Sequence, residues 1–151
     1  HGCHFVIAIG KSKLSRPLAI ANGLGIPAFV VFDSDAEANR ANPGDHPRNN
    51  ACILSLCGKD GVDPMPAEHY WSDNVTMWNS NIGEAIIAEY GADEWKTAED
   101  KARVEQGFLD GVKRKHPLLI TATLEELYSN GKQSDLLDGL CERLLEYSKK
   151  H

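Results

Sequence analysis

The stretch Phe29-Val30-Val31-Phe32-Asp33-Ser34-Asp35 decides the reading of this 151-residue chain. Four consecutive apolar residues, two of them β-branched, read as a strand buried on both faces, as in a parallel sheet. The strand is expected over Ala28–Phe32, entered through Ile26-Pro27 and closed by Asp33-Ser34-Asp35. Upstream, Phe5–Ile9 is a second run of this kind. Between the two, Gly10-Lys11-Ser12-Lys13 breaks the chain, Ser15 can cap a helix with Pro17 in its first turn, and Leu18, Ala21 and Leu24 line one helical face until Gly25. Strand, helix and strand form a β-α-β unit, for which parallel strands and a right-handed crossover are expected. The fold class is therefore α/β.

Downstream, residues 36–49 read as a mobile loop at the carboxyl edge of the sheet, where open α/β sheets place their sites. A helix is expected over Asn50–Leu56, loop over 58–69 and a third strand over Asn74–Trp78. From Ile82 the pattern is helical. Ile82–Tyr90 stops at Gly91, Ala98–Lys115 carries Val104, Phe108 and Val112 four apart, Leu124–Ser129 ends near Gly131, and Leu136, Leu137, Leu140, Leu144 and Leu145 mark an amphipathic last helix. The expected organisation is one domain over 1–151, with an α/β part at 1–95 and a helical part at 96–151.

Composition bounds the partners. A formal net charge of −6 gives no general electrostatic footprint for DNA or anionic membrane, though it leaves room for a local basic groove. The apolar runs are too short to span a bilayer, and no basic-then-apolar leader is visible, so no membrane partner is expected. Cys3, Cys52, Cys57 and Cys141 form no Cys-x-x-Cys pair, and a reduced, cytoplasmic setting is the simplest expectation. Cys3-His4 lacks a second ligand pair, which speaks against zinc.

The chemistry concentrates at Asp33 and Asp35. On an extended chain alternate residues share a face, with Cα atoms about 6–7 Å apart. Two carboxylates that close repel unless a cation lies between them, and hard oxygen ligands suit Mg²⁺ or Mn²⁺. Glu37 continues the period and could add a third oxygen ligand to the metal. The plainer reading is a polar turn after a strand. Glu84 reads either as a further metal ligand or, with Asn81 as N-cap, as the third residue of a capping box. Lys113, Arg114 and Lys115 read as favourable charge at a helix C-terminus, or as a source of one lysine that stabilises a phosphoryl transition state. Lys11 and Lys13 could meet a nucleic-acid backbone, although their surroundings lack P-loop spacing. Trp71, Trp78 and Trp95 are expected to pack in or near the core.

Gly10–Lys13, Leu18–Pro27 and Phe29–Asp35 together resemble the Toprim domain of OLD-family (overcoming lysogenization defect) nucleases. The resemblance is clearest over residues 4–37 and weaker through 74–91. It implies a Toprim-like, Rossmann-like, mostly parallel sheet flanked by helices, and a DNA endonuclease that uses Mg or Mn. It also implies an ATPase domain in the same parent chain. Asp33, Asp35 and Glu84 would be metal ligands and catalytic residues. Lys115 would be the functional basic residue, with Lys113 as the competing alignment. The Toprim pattern opens with a Glu-Gly pair on an earlier strand, whereas the first glutamate here is Glu37. The resemblance therefore implies an N-terminally truncated fragment that lacks one of the family's metal ligands. Two other classes remain open. One is a haloacid-dehalogenase-like phosphatase with Asp33 as nucleophile and Asp35 as general acid, although Glu37 stands where that family usually has Thr or Val. The other is a non-catalytic α/β interaction domain.

Overall fold

The structure is a computed structural model; it describes residues 4–8, 10–41, 44–108, 112–113 and 115–151. The chain is mixed α/β, as its sequence indicates. The strands are β1 (Val30–Asp33), β2 (Tyr70–Trp71) and β3 (Val75–Trp78). The α-helices are α1 (Ser15–Gly23), α2 (Ala36–Ala41), α3 (His46–Leu56), α4 (Ile82–Tyr90), α5 (Ala92–Glu105), α6 (Pro117–Ser129) and α7 (Asp135–Lys150), and a 3₁₀ turn at Lys11–Lys13 precedes α1. The chain divides into two compact units, one formed by His1–Ile82 with Gly139–His151, the other by Gly83–Asp138.

The first unit is built on the sheet, ordered β1-β3-β2. β1 and β3 run parallel with Val30 opposite Val75 and Asp33 opposite Trp78, while β2 runs antiparallel to β3. β1 and β3 form where the second and third strands are expected, but the parallel partner of β1 is β3 and not the Phe5–Ile9 run that the β-α-β reading assigned to it. β2 falls where loop is expected: two residues are too few to show any period. On one face Val30, Phe32, Val75 and Met77 pack with Leu18 of α1 and with Ile53, Leu54 and Cys57 at α3. All four residues of β3 are buried, which explains its uninterrupted apolar character apart from Thr76. Elsewhere on the sheet Phe29 meets the Tyr147 ring of α7 edge to face at 5.5 Å, and the Arg143 guanidinium lies 5.0 Å from the Trp71 ring centre. His69 and Trp71 pack edge-on around the fully buried Trp78.

The expected first strand does not form. Residues 4–8 lie outside any strand, and Phe5, Val6 and Ile7 are 88%, 72% and 88% exposed. Ile9 lies outside the described residues. An apolar run becomes a strand only when a ladder partner takes up its backbone groups, and these residues pair with none of the described strands.

Residues 36–49 hold α2 and the start of α3 rather than open loop. α3 begins four residues earlier than expected because Pro47, which resembles a loop residue, sits in the helix's first turn, where its missing N–H costs nothing. In the second unit α4 spans the expected residues, but α5 runs from Ala92 to Glu105 and not to Lys115. The chain turns at Gly107, whose φ of +65° suits glycine, and Val104 is 82% exposed. The buried face of α5 is Trp95, Ala98, Glu99 and Ala102, at helical spacing, and α5 packs on α6, which buries Leu119, Thr123 and Leu127. Glu99 is neutralised one turn on by Arg103, which donates to it at 2.8 Å. The start of α7 is fixed by Glu89: its carboxylate accepts from the Ser134 hydroxyl and, at 3.1 Å, from the Leu136 N–H.

Candidate functional site at the carboxyl end of β1

β1 ends at Asp33, and the backbone stays attached to the chain after β3: Ser34 N–H donates to Trp78 O at 2.8 Å and Asp35 N–H to Ser80 O at 3.1 Å. Ser34 is fully buried and its hydroxyl donates to Asn79 O. Asp35 has φ +57°, a left-handed conformation that Asp tolerates better than most residues. The extended alternation that would set Asp33 and Asp35 on one face therefore stops one residue short of Asp35.

The two carboxylates have different partners. Asp33 Oδ1 accepts the Ile82 N–H at 2.9 Å, the first residue of α4, so the acid meets an orphan donor at the positive end of a helix. Asp35 Oδ2 lies 2.8 Å from Lys11 Nζ and 3.3 Å from His46 Nδ1, the residue that opens α3. Lys11 is held inward. Its ammonium also donates to Asp33 O at 2.9 Å and Ser34 O at 3.0 Å, and its side chain is only 10% exposed. Those three acceptors use the three donors of an ammonium. The turn that aims Lys11 this way starts at Gly10, whose φ of +90° is unfavourable for any residue with a Cβ. Asn50, fully buried on α3, completes the cluster by donating to Ser34 O at 3.0 Å and Pro64 O at 2.7 Å. Asn50 Oδ1 is a buried atom without a hydrogen-bond partner among the described residues, and His46 Nδ1 has only its 3.3 Å approach to Asp35.

The remaining sequence-derived candidates lie elsewhere. Glu37 is exposed on the first turn of α2, and Lys13 is exposed in the turn before α1. Glu84 is exposed on the first turn of α4 and belongs to the second unit. Lys113 and Lys115 are exposed in the second unit, in the segment before α6, where His116 N–H donates to Lys113 O at 2.9 Å. They lie outside α5, so the expectation that they serve its C-terminus does not hold; Arg114 lies outside the described residues. Spacing in the sequence does not reveal Asn50 and His46 as members of the cluster. Their only signal is an Asp-His-Pro helix start in a stretch that resembles loop.

A divalent ion needs several oxygen ligands converging on one point. The described residues contain no group of three His, Cys, Asp or Glu placed to hold one. At Asp35 the charge that faces the carboxylate is the ammonium of Lys11. As folded, these side chains fit Lys11 and not Mg²⁺ or Mn²⁺. In the same unit, a shallow cleft of about 270 Å³ near the amino end of β3 is lined by Ser72, Asp73, Arg143, Glu146, Tyr147 and Lys150. Its mixed charges define no single ligand class.

Two nearby groups have displaced titrations. Burial drives the His69 imidazole below its ordinary value, and its Nδ1 accepts the Asn79 N–H at 3.2 Å. Burial pushes the Cys57 thiol up to about 11, against the opposing positive charge of Lys59. No helix among the described residues is long and apolar enough to cross a membrane. In comparisons with known proteins the chain matches no family model, no curated protein and no solved structure.

Proposed function

We propose that this chain is part of a Toprim-type nuclease domain of the OLD family, acting in its parent protein on DNA phosphodiester bonds with Mg or Mn as cofactor. The observation that supports it most is the collection of Asp33, Asp35, Lys11 and His46 at the carboxyl end of a strand in a parallel pair, the edge at which α/β sheets carry their sites. The motif text over residues 4–37 adds the family resemblance. Glu84 and Lys115 keep their proposed roles as further ligand and transition-state cation, and Lys13 and Lys113 as contacts to the nucleic-acid backbone; Lys11, whose ammonium is taken up by Asp35 and two carbonyls, does not keep that role. An ATPase domain in the same parent and a cytoplasmic setting belong to the same proposal.

The test is DNA cleavage by the complete parent protein. Asp33→Asn and Asp35→Asn should each reduce nicking of supercoiled DNA by at least about 100-fold, the scale seen when one element of a phosphoryl-transfer site is removed. Cleavage that survives both substitutions would end this reading.

A second reading, a non-catalytic α/β domain, draws on the internal satisfaction of both acids, Asp33 by Ile82 N–H and Asp35 by Lys11. It expects no heat on titration with Mn²⁺ and no stabilisation of the fold by the ion.

A further inference from the structure

We propose that α7 is a dimerisation helix that pairs antiparallel with α7 of a second copy of this chain. The helix carries five leucines and Tyr147 along Asp135–Lys150, yet none of its residues is buried. A helix on a protein surface ordinarily turns its apolar stripe into the core. α7 does so only in part. Arg143 lies 5.0 Å from the Trp71 ring centre and Tyr147 meets Phe29, which turns one side of the helix to the sheet. Beside that side, Leu137, Cys141, Leu144, Leu145 and Ser148 follow at i, i+4, i+7, i+8 and i+11, the spacing of one continuous flank. Leu137 and Leu144 are half-buried, Cys141 is exposed and Leu145 is 59% exposed. A flank of this kind is what a second helix packs against.

Charge selects the occupant. Asp135 and Asp138 lie in the first turn of α7, Lys149 and Lys150 in the last, and all four are exposed. On a lone helix this polarity suits the helix dipole. It also makes the helix complementary to its own reversed copy. An antiparallel pair with its two-fold axis between Glu142 and Arg143 sets Asp135 opposite the partner's Lys150, and Asp138 within a turn of the partner's Lys149. Two-fold symmetry supplies each pair twice. In a parallel pair, acid would face acid at one end and base would face base at the other. A 16-residue helix is about 24 Å long. An interface confined to it belongs to the small, weak class, so dissociation at roughly tens of micromolar is expected.

Sedimentation equilibrium on the 151-residue chain should show the 16.6 kDa monomer when dilute and twice that mass when concentrated. Lys149→Glu/Lys150→Glu should weaken the dimer at least about tenfold, because the reversed charges now oppose acids. Asp135→Lys/Asp138→Lys should do the same, and an equimolar mixture of the two variants should recover a dimer containing one copy of each. Leu145→Glu, which puts a charge on the apolar flank, should abolish association. Circular dichroism checks that each variant folds. A further readout needs no substitution. Cys141 should react freely with a thiol reagent in the dilute chain. As dimer forms by mass action it should slow at least about threefold relative to the exposed Cys52.

A single monomeric species up to about 500 µM, well above the dissociation range of so small an interface, overturns the proposal and leaves the flank to another partner. So does a dimer that neither Leu145→Glu nor Lys149→Glu/Lys150→Glu weakens, a mixture that fails to recover association, or a Cys141-to-Cys52 rate ratio that does not change with concentration.

Discussion

Replacing Asp33 separates its structural task from any catalytic one. Its Oδ1 accepts the Ile82 N–H at 2.9 Å across 49 residues of sequence and places a negative charge at the start of α4. Asp33→Ala removes the acceptor and the charge together. Loss of a side-chain acceptor at a helix start costs about 1 kcal/mol, within a range of about 0.5–2. The favourable charge at the helix N-terminus contributes a further few tenths to about 1 kcal/mol. The sum is about 1–2 kcal/mol, equivalent to a Tm lower by about 2–8 °C for a chain of this size. Asp33→Asn keeps an oxygen that can accept and loses only the charge term, so it should cost less than half as much. The assay is thermal unfolding followed by circular dichroism, with amide exchange at Ile82 as the local reporter. Ile82 should lose protection in Asp33→Ala and keep most of it in Asp33→Asn. An unchanged Tm in Asp33→Ala, or an Asn variant as damaged as the Ala variant, would show that the contact does not anchor α4. Should Asp33→Asn fold normally in a parent protein that no longer cuts DNA, the acid's role would extend past this cap.

Three other perturbations test the surrounding structure. Asn50→Ala, at a fully buried position whose amide serves Ser34 O and Pro64 O, should lower stability by about 1–3 kcal/mol in urea unfolding, since Pro64 O loses this donor and Ser34 O keeps only Lys11; a loss under about 0.5 kcal/mol would contradict the assigned bonds. The lowered His69 titration means that the unfolded chain takes up a proton at higher pH than the folded one. Its contribution is therefore fully present above the unfolded value of 6.5 and is lost as pH falls from there through the depressed folded value. His69→Gln should flatten the fall in Tm between pH 7 and 5, and an identical fall in both proteins would refute this. With its titration raised to about 11, the buried Cys57 carries almost no thiolate at pH 7.5. In the folded chain it should react with a thiol reagent far more slowly than the exposed Cys52 and Cys141, and a uniform rate for all three would count against its burial.

How legible the chain is in sequence depends on how local each cause is. β1 is readable because Val30 and Phe32 are buried in a parallel pair, although Val31 between them is 38% exposed, so the strand is not buried on both faces as its apolar run suggests. α4 is readable because Gly91, at φ +90°, stops it where the pattern stops. Phe5–Ile9 has the same composition as a strand, but composition cannot show whether a neighbouring ladder exists. The Val104–Phe108–Val112 spacing persists past Gln106-Gly107, and the turn there is stronger than the period. At the candidate site, the sequence places Asp33 and Asp35 at a strand end, but the spacing argument assumes extended backbone through both. The left-handed Asp35 breaks that assumption. Lys11 is visible in sequence only as a basic residue in a turn. Its contacts, 22 and 23 residues away along the chain, are set by tertiary packing that no spacing rule encodes.

The return of Gly139–His151 to the first unit has a practical consequence for anyone dividing the chain. Residues 83–138 are spliced into the middle of a unit whose sequence is discontinuous. Truncation after Ile82 would strip Phe29 of the Tyr147 ring and Trp71 of the Arg143 guanidinium. A version of the sheet unit that keeps its own contacts must therefore retain Gly139–His151 together with residues 1–82.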